Sequence, residues 1–198
     1  MNNLNEMTDE ELAIMYQEGN NKAFDELLLR KQQKLYSYII FVVRNKEIAD
    51  DIFQETFVRV ITQLKSGKYA NTGKFGAWLI CIAHNAIMDL YREQRVHREI
   101  YQSESSDLMA QLGDMHIEES IEADYINNQV LSQVHALMDK LPATQREVVY
   151  MHYYQQIPFK EIAQLTNVSI NTALGRMRYA LLNLRRMARK HNISLQLV

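Results

Sequence analysis

Residues Phe159–Tyr179 read FKEIAQLTNVSINTALGRMRY, and this stretch decides the fold class. Pro158 opens a short helix, because its fixed φ suits a first turn and its missing N–H costs nothing there. Over Phe159–Leu165 the apolar residues Ile162, Ala163 and Leu165 fall on one side. Thr166 to Val168 then form a short turn, and Ser169 offers a side-chain oxygen to cap a second, longer helix. Thr172, Leu174, Met177, Leu181 and Leu184 run along that last helix. A short helix, a three- or four-residue turn and a longer basic helix make a helix-turn-helix. Ala163 is small where the two helices must approach, and Val168 is apolar where the turn must plug the core. In such a motif the N-terminal part of the second helix enters the major groove and reads base edges. Ser169, Asn171, Thr172, Gly175, Arg176, Arg178 and Tyr179 lie on or near its outer face. Asn171 and Thr172 can bond bases or phosphates, Gly175 lets the backbone come close, and Arg176 and Arg178 can read guanine or clamp phosphate. Arg185 and Arg186, with Arg189 and Lys190 beyond, are placed for phosphate. An ordinary helical hairpin with a solvated basic face is the competing reading of this stretch.

Working outward, the whole chain of 198 residues reads as helical. It has two prolines and six glycines, and apolar residues recur at three and four rather than at two. Pro142 opens the helix that precedes the motif, with Val148, Val149, Met151 and Tyr153 on its apolar side. Toward the N-terminus, Thr8 with Glu11 is a capping-box signature for a helix over 9–18 that Gly19 stops. Asn21 is the expected cap of a second helix carrying Phe24, Leu27, Leu28, Leu35, Tyr38, Ile39 and Val42. A third should start near Lys46, with Ile48, Ile52, Phe53, Phe57, Val60, Ile61 and Leu64 buried. The stretch 65–73 contains Ser66, Gly67, Asn71 and Gly73 and reads as a loop. A fourth helix is expected over 74–95, its apolar stripe being Phe75, Trp78, Leu79, Ile82, Ala86, Ile87 and Leu90.

The apolar pattern fades after position 96. Serines and acids there read as a linker. The expected organisation is therefore an N-terminal helical domain over 1–96, a flexible acidic linker over 97–126, and a helix-turn-helix domain over 127–198. Net charge is −2, which conceals an uneven distribution. No lysine or arginine occurs between Glu99 and Asp139, while no acid follows Ile170. That asymmetry points to a polyanion partner at the C-terminal end. Cys81, the single cysteine, sits in an apolar helical pattern, so neither an internal disulfide nor a cysteine metal cage is expected and a reducing cytoplasm fits. No signal peptide or membrane span is indicated. The six histidines show no metal-ligand spacing, and no nucleophile elbow, Walker loop or Gly-rich phosphate cradle occurs. Metal, cofactor and enzymatic activity are accordingly not expected.

Two further stretches carry function. In the fourth helix, Lys74, Asn85, Asp89, Arg92 and Arg95 lie opposite the apolar stripe, and the preceding loop offers Lys68, Tyr69 and Asn71. Aromatics beside cations suit single-stranded DNA, whose bases stack on rings. Phe75 and Trp78 belong to the stripe and read as core, which leaves Tyr69 as the expected base contact. In the third helix Asp50, Asp51, Gln54 and Glu55 form an acidic and amide patch, for which a favourable helix dipole is the plainer account.

These segments, in order, resemble the bacterial extracytoplasmic-function sigma factors. DDIFQETF, Asp50 to Phe57, is similar to the family's polymerase-binding pattern D-x-x-Q-E-x-F. FGAWLICIAHNAIMD, Phe75 to Asp89, is similar to its promoter-melting helix F-x-x-W-L-x-x-I-A-x-N-x-x-x-D. LPATQREV, Leu141 to Val148, and FKEIA, Phe159 to Ala163, are similar to L-P-x-x-x-R-x-V and Y-x-E-I-A of its second domain. The resemblance implies an all-α chain that brings RNA polymerase core to promoter DNA. Asp50, Asp51, Gln54 and Glu55 would face the β′ clamp of the polymerase, and the β flap would be a further contact. Tyr69, Asn71 and their loop would hold a flipped base of the minus ten element. Asn85, Arg92 and Arg95 would guide the nontemplate strand, and the last helix would read the minus thirty-five duplex. The acidic linker would thread channels otherwise used by nucleic acid. An anti-sigma factor, often at the membrane, is implied as a partner. Many members carry a basic residue and then a serine after the first turn of the recognition helix. Here Leu174 and Gly175 stand there, which moves the expected base contacts to Asn171, Arg176 and Arg178. The alternative of another class is an autonomous helix-turn-helix regulator with an N-terminal interaction domain, which would dimerise on a palindrome.

Overall fold

The computed structural model describes residues 4–70, 73–102 and 135–190, with the side chains of 97–102 excepted. Every regular element among them is helical. A 3-10 turn at Leu4–Glu6 precedes α1 (Asp9–Gln17), α2 (Asn21–Val43), α3 (Lys46–Lys65) and α4 (Phe75–Gln102). After helical residues 135–139 come α5 (Ala143–Val149), a π turn (Tyr150–Tyr154), α6 (Phe159–Leu165) and α7 (Ile170–Lys190). The described residues fall into two compact units. One holds residues up to Ile40 and from Glu47 through α4; the other holds Phe41–Lys46 and the elements from 135 onward.

In the first unit, Thr8 and Glu11 close the expected box. The Glu11 N–H donates to Thr8 Oγ1 at 3.2 Å and the Thr8 N–H to Glu11 Oε2 at 2.8 Å. Those bonds, the backbone one foremost, hold the Glu11 carboxyl below its ordinary pKa. Gly19 ends α1 at φ 101, so that the Asn20 N–H reaches the Met15 carbonyl at 2.9 Å. The cap of α2 is Asn20 rather than Asn21, since its Oδ1 accepts from the Lys22 N–H at 3.1 Å and Asn21 is already helical. The core stripe of α3 is narrower than its apolar residues suggest. Ala49, Ile52, Thr56, Val60 and Leu64 are buried, whereas Ile48, Phe53, Phe57 and Ile61 are half-buried. Thr56 is tolerated inside because its hydroxyl donates to the Ile52 carbonyl at 2.7 Å.

α4 buries Phe75, Leu79, Ile80, Ile82, Ala83, His84, Ala86 and Ile87. Its Phe75 N–H, one of the groups a helix start leaves unpaired, donates to Glu10 Oε1 of α1 at 3.0 Å. The helix runs to Gln102, beyond the expected stop at position 95, so its last turns occupy residues read as linker. The rest of the expected linker, within 103–134, lies outside the described residues.

In the second unit, Leu137, Met138, Leu141, Val148, Val149, Met151, Ile162, Ala163, Ala173, Met177 and Ala180 make the core. Pro142 and Pro158 stand at the caps of α5 and α6, as read. Tyr153 is not inward: it is 59% exposed. The π turn widens the spiral there, with the Gln155 N–H reaching back to the Tyr150 carbonyl at 3.2 Å, and this rotates Tyr153 off the apolar side.

Candidate polymerase and nucleic-acid interfaces

The second unit carries the helix-turn-helix. α6 ends at Thr166, whose buried hydroxyl donates to the Ile162 carbonyl at 2.8 Å. Asn167 takes φ 51, a left-handed conformation that asparagine tolerates better than most residues, and the Val168 N–H returns to the Ala163 carbonyl at 2.9 Å. Ser169 then caps α7, its Oγ accepting from the Thr172 N–H at 3.0 Å and lying 2.8 Å from the Thr172 hydroxyl. Small residues at Ala163, Ala173 and Ala180 let the helices close.

The inward stripe of α7 is Ala173, Met177, Ala180 and Ala188, so the opposite side faces solvent. Asn171, Thr172, Arg178, Arg185 and Arg186 are exposed, and Tyr179 is 62% exposed. Arg176 is half-buried at the flank, a weaker position for base reading than Arg178. Leu174, which stands where many family members carry a basic residue, is 44% exposed, one turn after Asn171. Gly175 follows, and a Cβ built on it would meet nothing within 4 Å. Among the described residues, none of Arg176, Arg178, Arg185, Arg186 and Arg189 stands in an ion pair with a carboxylate.

The acidic patch of α3 is divided. Asp51, Gln54 and Glu55 are exposed, while Asp50 accepts a hydrogen bond from the Tyr36 hydroxyl at 2.7 Å. That bond, reinforced by burial, raises the Tyr36 pKa. Glu55 is tied to Arg59 at 2.5 Å, Arg59 reaches Asp89 of α4 at 3.0 Å, and Asp89 accepts from Arg92 at 2.9 Å. Arg59 thus joins a residue expected on the polymerase to two expected on DNA. It was not among the candidates, although its i,i+4 spacing from Glu55 is a readable signal. Asp51, Glu55, Arg59, Asp89 and Arg92 line a cleft between α3 and α4.

In the loop before α4 the aromatic ring is not open to solvent. Tyr69 is only 5% exposed, its ring 5.7 Å from Phe75 and 4.6 Å from Trp78. It packs as core, and burial, with Glu10 and Asp9 nearby, pushes its pKa up. Lys68 and Lys74 are the exposed cations flanking it, and Asn71 lies outside the described residues. On α4, Asn85, Asp89 and Arg92 follow one another along one strip at four and three residues, and Arg92 and Arg95 are exposed. Cys81 is half-buried, with Asn85 Nδ2 3.8 Å from its Sγ. Burial raises the thiol pKa, which disfavours the reactive thiolate. Among the described residues no group of acids, histidines and cysteine could hold a metal ion, and no helix is long and apolar enough to cross a membrane.

Comparison with known proteins places these units. The family model for Sigma-70 region 2 matches residues 27–96, and that for Sigma-70 region 4 matches residues 131–184. The RNA polymerase sigma-H factor of Pseudomonas aeruginosa is 25% identical over 88% of this chain and 90% of its own length. The extracytoplasmic-function (ECF) sigma factor SigM of Bacillus subtilis is 24% identical over 73% of this chain and 82% of its own. The solved structure of CnrH in complex with the cytosolic domain of CnrY superposes with TM-score 0.62 at 22% identity, covering 92% of this chain and 97% of that one. A structure of RpoE with the anti-sigma factor NepR from Bartonella quintana gives the same TM-score at 20% identity. With both regions matched in order on two helical units, the chain belongs to the extracytoplasmic-function group of the sigma-70 factors.

Proposed function

We propose that this chain directs RNA polymerase core to promoters by gripping it through α3 and touching DNA at two places, one opened and one still paired. The observation that carries the reading is the outward face of α7, cationic and without acids, on a helix-turn-helix joined in one chain to a region 2 unit. In this reading Asp51, Gln54 and Glu55, with Asp50 braced by Tyr36, meet the β′ clamp, and the second unit meets the β flap. Lys68, Lys74, Asn85, Arg92 and Arg95 follow the unpaired strand of the minus ten element, and Asp89 orients Arg92. Asn171, Arg178, Tyr179, Arg185 and Arg186 meet the minus thirty-five duplex. Neither site need bind tightly alone, because docking on the polymerase raises the effective concentration of each. That is how a protein of net charge −2 works on DNA. Melting requires no bond chemistry from the chain, only capture of unstacked bases, and unstacking a base costs a few kcal/mol. The chain acts as a non-enzymatic subunit in the cytoplasm. Two structural relatives were solved with CnrY and with the anti-sigma factor NepR, which supports an anti-sigma partner here as well.

The test is reconstitution with purified core polymerase on a promoter library, with wild type and an Asp51→Lys, Glu55→Lys variant. Wild type should start transcription at a defined promoter class. The variant should keep its helical circular dichroism and lose core binding in a pull-down. Unchanged binding removes the clamp assignment.

A further inference from the structure

Resting on the reading of α7 as the duplex reader, we infer that Leu174 is a specificity residue that packs on the C5-methyl group of a thymine in the upstream element. Single exposed leucines are common and by themselves mean little. Three observations separate this one. Leu174 is 44% exposed in the second turn of the helix that follows the turn, where base edges come within reach. It lies one turn from the exposed Asn171, and asparagine is the side chain that bonds adenine bidentately; the thymine paired with that adenine carries the methyl group in the same groove. Beside it stands Gly175, inside a helix where glycine costs roughly 1 kcal/mol relative to alanine. The open space around a Cβ built at Gly175 means that the protein's own packing does not call for that glycine. A groove wall close to the backbone does. The occupant of this face is duplex DNA rather than a second copy or an apolar protein surface. Exposed Arg178, Arg185, Arg186, Arg189 and Lys190 share the helix, and no acid follows Ile170.

The methyl group is the distinguishing atom. Holoenzyme formed from this chain and core polymerase first selects duplexes from a library randomised in the upstream element. The selected duplex is then made with thymine or deoxyuridine at each thymine of that element, which removes one methyl group and leaves base pairing intact. One position should lose about fourfold in affinity, the effect of one buried methyl group. In Leu174→Ala holoenzyme the thymine-to-deoxyuridine ratio at that position should fall to about one, with circular dichroism unchanged. Equal affinity of wild type for all probes overturns the inference, as does a methyl effect that persists in Leu174→Ala. Holoenzyme that selects no duplex overturns the promoter reading itself, a failure visible before any deoxyuridine probe is made.

Discussion

α4 and α7 are both long amphipathic helices with a polar side, and they use charge differently. On α4 the polar strip is partly neutralised by the protein: Asp89 lies between Arg59 at 3.0 Å and Arg92 at 2.9 Å. On α7 the outward arginines have no carboxylate among the described residues, and no acid follows in the chain. In the proposed reading, a surface that captures bases as they unstack on an already docked complex can work with few uncompensated cations. A surface that must find duplex DNA needs them, since phosphate neutralisation releases counterions and supplies most non-specific affinity. The loop beside α4 repeats the contrast. Its tyrosine is enclosed by Phe75 and Trp78, whereas Tyr179 of α7 is open.

Tyr69→Ala should have the largest effect, about 3–5 kcal/mol of lost stability, as for truncating any large buried aromatic. Thermal unfolding reads it. Tyr69→Phe keeps the ring and removes a buried hydroxyl that has no partner among the described residues, so it should fold and open promoters normally. A folded Tyr69→Phe that fails to open promoters would make Tyr69 a strand contact and bring the two regions closer in kind. Next, Arg178→Ala should lose about 1–3 kcal/mol of promoter affinity in holoenzyme titrations, with unfolding unchanged. A uniform loss across upstream sequences assigns it to phosphate, and a loss confined to one base pair assigns it to readout.

Gly175→Ala should raise stability by about 0.5–1 kcal/mol, because it removes a helix-interior glycine into open space. The same change should weaken promoter binding. Binding that stays intact while Tm rises shows that no groove wall approaches α7 there. The smallest effect belongs to Arg59→Gln. Its ion pairs are partly exposed, its side chain being 33% accessible, so stability should change by at most about 1 kcal/mol. Loss of Asp89 neutralisation should nonetheless lower affinity for single-stranded minus ten probes in holoenzyme, measured by fluorescence anisotropy. An unchanged affinity removes Arg59 from the positioning of Arg92.

The all-helical fold, the capping box at Thr8, the stop at Gly19, the proline starts at Pro142 and Pro158, and the Ser169 cap were legible because each is fixed within a few residues of sequence. The helix-turn-helix and the acidic patch of α3 were legible for the same reason, and family resemblance ordered them. Periodicity misled where one residue's angle on a helix depends on what covers it. Tyr153 is a residue that helical spacing alone could not assign to an outer face, because a π turn changes the spacing.

Tertiary structure alone decided which polar groups are spoken for. The Glu10 carboxylate accepts from the N–H that starts a helix 65 residues away, and Arg59 reaches Asp89 thirty residues on. Tyr69 became core because two rings of the following helix turn close over it. The sequence determines local preference and the sign of charge along the chain, since those depend on neighbours within about one helical turn. Burial and ion pairing depend on which distant surfaces meet, and only the packed chain settles that.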